Sequence, residues 1–237
     1  MAVSRFGRYE LLTTDVPGAR GFYSEIFGSE FWGADVTLGP LPEAARARGA
    51  RPHFRGHLGV PQLEPPLARM LAEGGQQLGP RQSGPGAVRA GVVDPFGARL
   101  TLSTEAMPAP RALVAWHLML AREHTLACAW YAELFGWKPG QLRDLGPERG
   151  EHQAFAWQDG AEKVGSFSNL ARLPEVHPQW LFFFRVRDIE RAVSAVRALG
   201  GLALPSQRTA DDSVVVACDD PQGGAFGLFS RNDSGRA

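Results

Sequence analysis

Hydrophobic and polar positions along the first part of the chain set out a strand, a helix and a further run of strands. Residues 5–13 alternate weakly, the period-two signature of a strand with one buried face, although Leu11-Leu12 blurs the period. Asp15 is placed to cap a helix, and Pro17 fits its first turn, where the missing N–H has no intrahelical partner anyway. Ala19, Phe22, Tyr23 and Ile26 recur at helical spacing, and Gly28 suits the left-handed residue that ends such a helix. Residues 29–51 carry little pattern beyond a short strand over 36–38 and a helical turn or loop over 42–47. A strand over 53–60 then leads to a helix from Glu64, with Leu67, Met70 and Leu71 as its buried stripe and Gly74-Gly75 as its end. Pro65 and Pro66 are compatible only with its first turn. Strands follow over 76–79, 87–93 and 98–103, the last two joined by Asp94-Pro95-Phe96-Gly97, which has the chemistry of a type I turn.

The second half repeats the order. Strands are expected over 113–120, 153–157, 163–168, 180–186, 202–204, 213–217 and 225–229, with helices over 125–135 and after the capping residue Asp188. Ile189, Val193, Val196 and Leu199 lie on one face of that last helix. The repetition is also literal. Phe22-Tyr23-Ser24-Glu25-Ile26-Phe27-Gly28 returns as Trp130-Tyr131-Ala132-Glu133-Leu134-Phe135-Gly136, 108 residues later, and Asp94-Pro95-Phe96-Gly97 returns as Asp220-Pro221-Gln222-Gly223, 126 residues later. The difference is an 18-residue insertion in the second copy. An internal duplication of strand–helix–strands units therefore defines an α+β chain of two similar halves. The expected boundaries are a first domain over 1–104, a linker over 105–112, a second domain over 113–232 and a tail over 233–237.

Composition narrows the partners. A chain of 237 residues suits two domains, each large enough for its own core. Lys plus Arg equals Asp plus Glu at 25 each and no basic run occurs, which argues against a nucleic-acid partner. No apolar window is long enough to span a membrane and the N-terminus lacks a secretory apolar region, so a soluble, cytoplasmic protein is expected. Cys128 and Cys218 fall on different elements and read as buried free thiols, with a disulfide as the alternative.

The order of elements, together with Glu10 to Asp15, Phe22-Tyr23, Leu41 to Ala45, Pro52-His53-Phe54, Gly56-His57 and Asp220-Pro221-Gln222-Gly223, resembles the vicinal oxygen chelate superfamily. That is the glyoxalase, bleomycin-resistance and extradiol-dioxygenase group, and its tandem two-domain, antigen-like subgroup is the nearest match. The resemblance covers roughly residues 6 to 230. It implies two glyoxalase-like domains, each a pair of βαβββ units whose curled mixed sheets surround a cup. It also implies a divalent metal held by His or Glu at fixed distances from the shared phrases. Those distances lead to Arg8, Arg55 and Thr101 in the first half and to Trp116, Leu181 and Gly227 in the second. Arginine has no lone pair to offer, Trp, Leu and Gly supply no donor, and threonine coordinates weakly. The remaining ligand, on the fourth strand of the first unit, has no clear counterpart. A catalytic metal is therefore not expected, and no cofactor is assigned.

Strand parity then gives the two cups different characters. The first is lined by Arg8, Glu10, His53, Arg55, His57, Arg99 and Thr101, a cation-rich set able to hold a carboxylate through charge-assisted hydrogen bonds. Glu10 with His53 or His57 offers an acid and a base. An internally paired ion network is the alternative. The second cup is lined by Trp116, Leu118, Leu181, Phe183 and Phe229, with Gly227 leaving room, and offers either stacking for a planar ligand or a filled apolar core. His117 has the opposite parity to Trp116 and should face the helix side, while His124, His152 and His177 fall in loops or helix starts. Three functions remain open at this point. They are a metal-independent protein that binds a small organic molecule, a metal-free enzyme of isomerase, cyclase or lyase type, and a degenerate structural or interaction protein. Monomer and homodimer are equally compatible with tandem halves.

Overall fold

A computed structural model describes residues 3–84, 86–107, 113–209 and 211–231. Most of the expected linker (108–112) and the expected tail (233–237) lie outside the described residues.

The chain opens with β1 (Phe6–Thr13) and α1 (Val16–Phe27). Asp15 starts α1 by accepting the Gly18 N–H at 3.0 Å, and Gly28, with φ of 89°, ends it. Then come β2 (Val36–Pro40), a single helical turn α2 (Glu43–Arg46), β3 (His53–Gly59) and α3 (Glu64–Ala72), which carries its prolines in the first turn. The half closes with β4 (Gln76–Gln77), β5 (Gln82–Gly84), β6 (Ala87–Val93) and β7 (Arg99–Ser103). These strands form one curled mixed sheet in the order β2-β1-β3-β7-β6-β4, with β5 beside β6. The pairs β1–β2 and β3–β7 are parallel, and β6 runs antiparallel to β4, β5 and β7.

The second half contains β8 (Val114–Leu120), α4 (His124–Phe135), β9 (Lys138–Asp144), β10 (Glu151–Ala156) and β11 (Gly165–Ser168). It continues with β12 (Gln179–Arg185), α5 (Ile189–Ala198), β13 (Leu202–Ala203), β14 (Gln207–Arg208), β15 (Val214–Asp219) and β16 (Ala225–Ser230). The second sheet runs β13-β15-β16-β12-β8-β11-β10-β9, with β14 beside β15. The expected α+β class and pair of curled mixed sheets are thus what the chain adopts.

Several local expectations are corrected. The inserted residues build a strand that patterning missed. All but one residue of β9 is exposed, so no apolar face marks its period; backbone pairing with β10 holds it. Leu71 and Leu199 are 42% and 41% exposed and leave their stripes. The buried arc of α3 centres on Pro66, Leu67 and Met70, and one residue further along a helix is about 100° further round. Leu199 is a C-cap beyond the last turn of α5, whose buried residues are Ala192 and Val196. In β1, Gly7 and Arg8 are both half-buried between buried Phe6 and Tyr9, a slip in the alternation rather than a clean period of two. His152 lies on β10 rather than in a loop. Both cysteines are buried free thiols.

Two compact units make up the chain, and each draws on both halves of the sequence. Unit one takes residues 1–8, 55–109 and 117–180, and unit two takes 9–54, 110–116 and 181–237. In unit one an aromatic core joins Phe6 to Trp180 (ring centroids 5.0 Å apart), Trp137 to Phe155 (4.8 Å) and Tyr131 to Phe167 (5.5 Å). In unit two Tyr9 meets Phe182 at 4.8 Å, Phe54 meets Phe184 at 5.1 Å and Phe22 meets Phe226 at 6.0 Å. Paired aromatic rings of this kind add roughly 0.5–1.5 kcal/mol each beyond their buried area.

The duplicated phrases meet inside these units. In unit one the Tyr131 hydroxyl donates to Asp94 Oδ2 at 2.6 Å and accepts from Trp180 Nε1 at 3.2 Å. In unit two the Tyr23 hydroxyl donates to Asp220 Oδ2 at 3.0 Å. Each aspartate uses Oδ1 to hold its own turn: Asp94 accepts from Phe96 and Ala98 N–H at 2.9 and 2.8 Å, and Asp220 from Gln222 and Gly224 at 2.9 and 2.8 Å. Burial pushes the Asp94 carboxyl up to about 6 even though Tyr131 and three backbone N–H groups pull it down, and it raises Asp220 as well. A tyrosine of one half therefore latches the Asp-Pro turn of the other half, once in each unit.

Candidate functional site

The face of unit one that carries polar groups is built by β3, β6 and β7. His57 is the register partner of Thr101 across the parallel β3–β7 pair, and Gly91 is the partner of Thr101 across the antiparallel β6–β7 pair. Alternation then puts Arg55 and His57 from β3, Thr101 and Ser103 from β7, and Arg89 and Gly91 from β6 on one face. The opposite face bears Leu58, Ala90, Val92, Leu100 and Leu102, all buried in the core. A Cβ on Gly91 would lie 3.3 Å from Arg55 Nη1, so a larger residue there would make the guanidinium give by a few tenths of an ångström.

Arg8 reaches this face from the end of β1. Its Nη1 pairs with Glu105 Oε1 at 2.5 Å, and Arg89 Nη2 pairs with Glu105 Oε2. Two guanidinium groups thus share one carboxylate, each on its own oxygen. Burial would raise the Glu105 carboxyl, but the hydrogen bonds from Arg89 and Arg8 outweigh it and hold it below the usual range. Thr101 is 3% exposed and its hydroxyl makes no hydrogen bond among the described residues, which is uncommon for a buried polar atom.

Of the residues expected in the first cup, unit one brings together Arg8, Arg55, His57 and Thr101. Arg99 stands exposed at the start of β7. Glu10 and His53 belong to unit two. There the Glu10 carboxylate lies 3.8 Å from the site a Cβ on Gly39 would take, and His53 Nδ1 is tied to the Arg51 carbonyl at 2.7 Å. Sequence reasoning missed Arg89 and Glu105. Arg89 reaches this face through the register of Gly91 with Thr101, which local sequence does not give, and Glu105 lies in what reads as linker and carried no signal.

The corresponding face of unit two is apolar. Leu181, Phe183 and Phe229 are 5–7% exposed, and Trp116 is half-buried. Phe183 is the parallel register partner of Gly227. A Cβ on Gly227 would come within 2.2 Å of the Phe183 ring. The space that Gly227 leaves is therefore taken by Phe183 itself. The Arg185 guanidinium lies 5.0 Å from the centroid of the Phe229 ring, a cation–π contact. His117 takes the core side, as its parity required, with Nδ1 at 2.9 Å from the Val164 carbonyl and its ring stacked on Phe6.

The positions that the resemblance implies for metal ligands hold Arg8, Arg55, Thr101, Trp116, Leu181 and Gly227. The strand lying parallel beside β1 offers Thr37 and Gly39 on the side of Glu10. Among the described residues no group of three or more His, Cys, Asp or Glu is disposed to hold a metal ion.

The fold is the one that solved glyoxalases and extradiol dioxygenases share. The glyoxalase-like domain family matches residues 116–229. The protein CFP32 of Mycobacterium tuberculosis, which bears a glyoxylase name, is 23% identical over 250 aligned residues, covering 93% of this chain and 92% of the relative. Among solved structures, a Mn(II)-bound glyoxalase from Novosphingobium aromaticivorans superposes with a TM-score of 0.61 at 13% identity, covering 96% of this chain and 82% of that one. Homoprotocatechuate 2,3-dioxygenase from Brevibacterium fuscum, as its E323L variant, gives 0.64 at 14% identity, covering 97% and 72%. Identities this low establish the shared fold alone. Among the described residues, no helix is long and apolar enough to cross a membrane.

Proposed function

We propose that this chain is a metal-independent member of the superfamily that holds a small organic molecule bearing a carboxylate, on the polar face of unit one. The observation that carries the reading is the replacement of the implied ligands by guanidinium groups. Arg8 and Arg55 stand where the resemblance implies ligands, Arg89 joins them, and a buried hydroxyl, Thr101, stands at a third such position. Cations in that place disfavour a divalent metal and favour an anion, which arginine engages through directed, charge-assisted hydrogen bonds. The solved relative that contains Mn(II) and the ring-cleaving dioxygenase make metal binding the competing expectation, so metal is the first test. The purified, tag-free protein is incubated with Fe²⁺, Mn²⁺, Ni²⁺ or Zn²⁺, desalted and analysed for bound metal. The expected content is far below one ion per chain; near-stoichiometric retention of any of the four overturns the reading.

An enzyme without metal is the second reading, favoured by His57. This histidine is 8% exposed and is the register partner of Thr101 on the same face. It requires that His57→Ala, or the sequence candidates Glu10→Gln and His53→Ala, abolish turnover in a folded protein. Unchanged turnover in all three removes it.

A further inference from the structure

We propose that Arg8 and Arg89 form a carboxylate-binding site whose resting occupant is the chain's own Glu105, and that a small-molecule carboxylate takes that place when the ligand binds. This rests on the reading above and identifies the group on the ligand that is recognised. Three features of unit one support it.

The first is the ion cluster itself. Two guanidiniums share one carboxylate, so the pair keeps an excess positive charge with Glu105 in place. The side chains of Arg8, Arg89 and Glu105 are 25%, 35% and 27% exposed. Water reaches all three, so an anion from solution can compete with Glu105 for the two guanidiniums.

The second is the segment that delivers Glu105. Thr104 is fixed to β6 twice: its N–H donates to the Val88 carbonyl at 3.0 Å, and its Oγ1 accepts the Val88 N–H at 2.9 Å. Glu105 N–H donates to Ser103 Oγ at 3.1 Å. Beyond Glu105 the chain lies across the sheet through Met107, which fits because two residues beneath it lack side chains. A Cβ on Gly7 would fall 2.7 Å from Met107 Cβ, and one on Gly59 would fall 2.5 Å from Met107 Cγ. Arg5 Nη2 adds a long contact of 3.4 Å to the Met107 carbonyl. The strap is anchored at Thr104 and rests on glycines at Met107, and Glu105 lies between those points. It can withdraw its carboxylate without unpairing a strand.

The third is the Thr101 hydroxyl, buried on the same face without a hydrogen bond among the described residues. Its register partner Gly91 is two residues along β6 from Arg89. A buried hydroxyl in that state suits a polar group of a ligand whose carboxylate is held by Arg8 and Arg89.

The test uses the intact chain and benzoate as probe, with calorimetric titration of the wild type, Glu105→Gln, and Glu105→Gln combined with Arg89→Ala. Near-ultraviolet circular dichroism establishes that each variant is folded. Glu105→Gln removes the resident anion and is expected to bind benzoate about tenfold more tightly than the wild type, the effect of deleting one charge-assisted competitor. Adding Arg89→Ala is expected to abolish that gain. Glu105→Asp keeps the charge but shortens its reach, and its affinity should fall between wild type and Glu105→Gln. Equal benzoate affinity in wild type and Glu105→Gln overturns the displacement while leaving a carboxylate-binding protein. Absence of binding by both overturns displacement and carboxylate binding together.

Discussion

Replacing Asp94 with asparagine should change how stability depends on pH. Asp94 is 2% exposed, and burial raises its carboxyl from an ordinary 3.8 to about 6. The folded state therefore binds this proton more tightly than the unfolded state. The resulting stabilisation is complete below pH 3.8 and is lost as pH rises through 6. At about 1.4 kcal/mol per pKa unit it amounts to about 3 kcal/mol. His117 has the opposite sign. Burial pulls its imidazole from 6.5 to about 4, so its contribution is present above pH 6.5 and is lost, again by about 3 kcal/mol, as pH falls through 4. The two nearly offset each other across the same window, and the wild type should show little of either.

Asparagine keeps the shape and a carbonyl oxygen for the Phe96 and Ala98 N–H groups, but it does not titrate. Urea denaturation of wild type and Asp94→Asn at several pH values between about 4 and 7 gives the stability difference directly, and that difference is free of the groups the two proteins share. The variant should gain about 3 kcal/mol relative to wild type from the acid to the neutral end. A difference that stays constant across the window refutes the assignment of a raised Asp94 pKa and the burial argument behind it.

Two further predictions concern the paired tyrosines and the second sheet. Tyr23→Phe and Tyr131→Phe each remove a buried donor from an aspartate and should cost about 1.5–3 kcal/mol in urea melts; a cost near zero for both refutes the latch. Gly227→Ala drives a methyl into the Phe183 ring and should destabilise the protein by about 1–3 kcal/mol. Phe183→Leu in the same chain should recover much of that loss, and purely additive effects of the two changes would refute the contact.

Local chemistry and repetition made most of the fold legible. The caps at Asp15 and Asp188, the glycine stops and the Asp-Pro turns depend on residues within a few positions of each other, so their hydrogen bonds are written in adjacent letters. The duplication itself needs no geometry. The donor chemistry at Arg8, Arg55, Trp116, Leu181 and Gly227 was equally plain, because a residue without a lone pair has none in any fold. Other features depended on partners far away in sequence. β9 is exposed along nearly all its length and exists because β10 pairs with it. Phe183 fills the space over Gly227 only because β12 and β16 lie in parallel register. Glu105 meets Arg8 and Arg89 because its segment passes over two glycines 52 residues apart, Gly7 and Gly59. The sequence by itself determined most of the elements and their repetition. Tertiary structure alone decided that each core takes aromatic rings from both halves, because a buried face is completed by whichever apolar surface packs against it, and that choice leaves no mark in local periodicity.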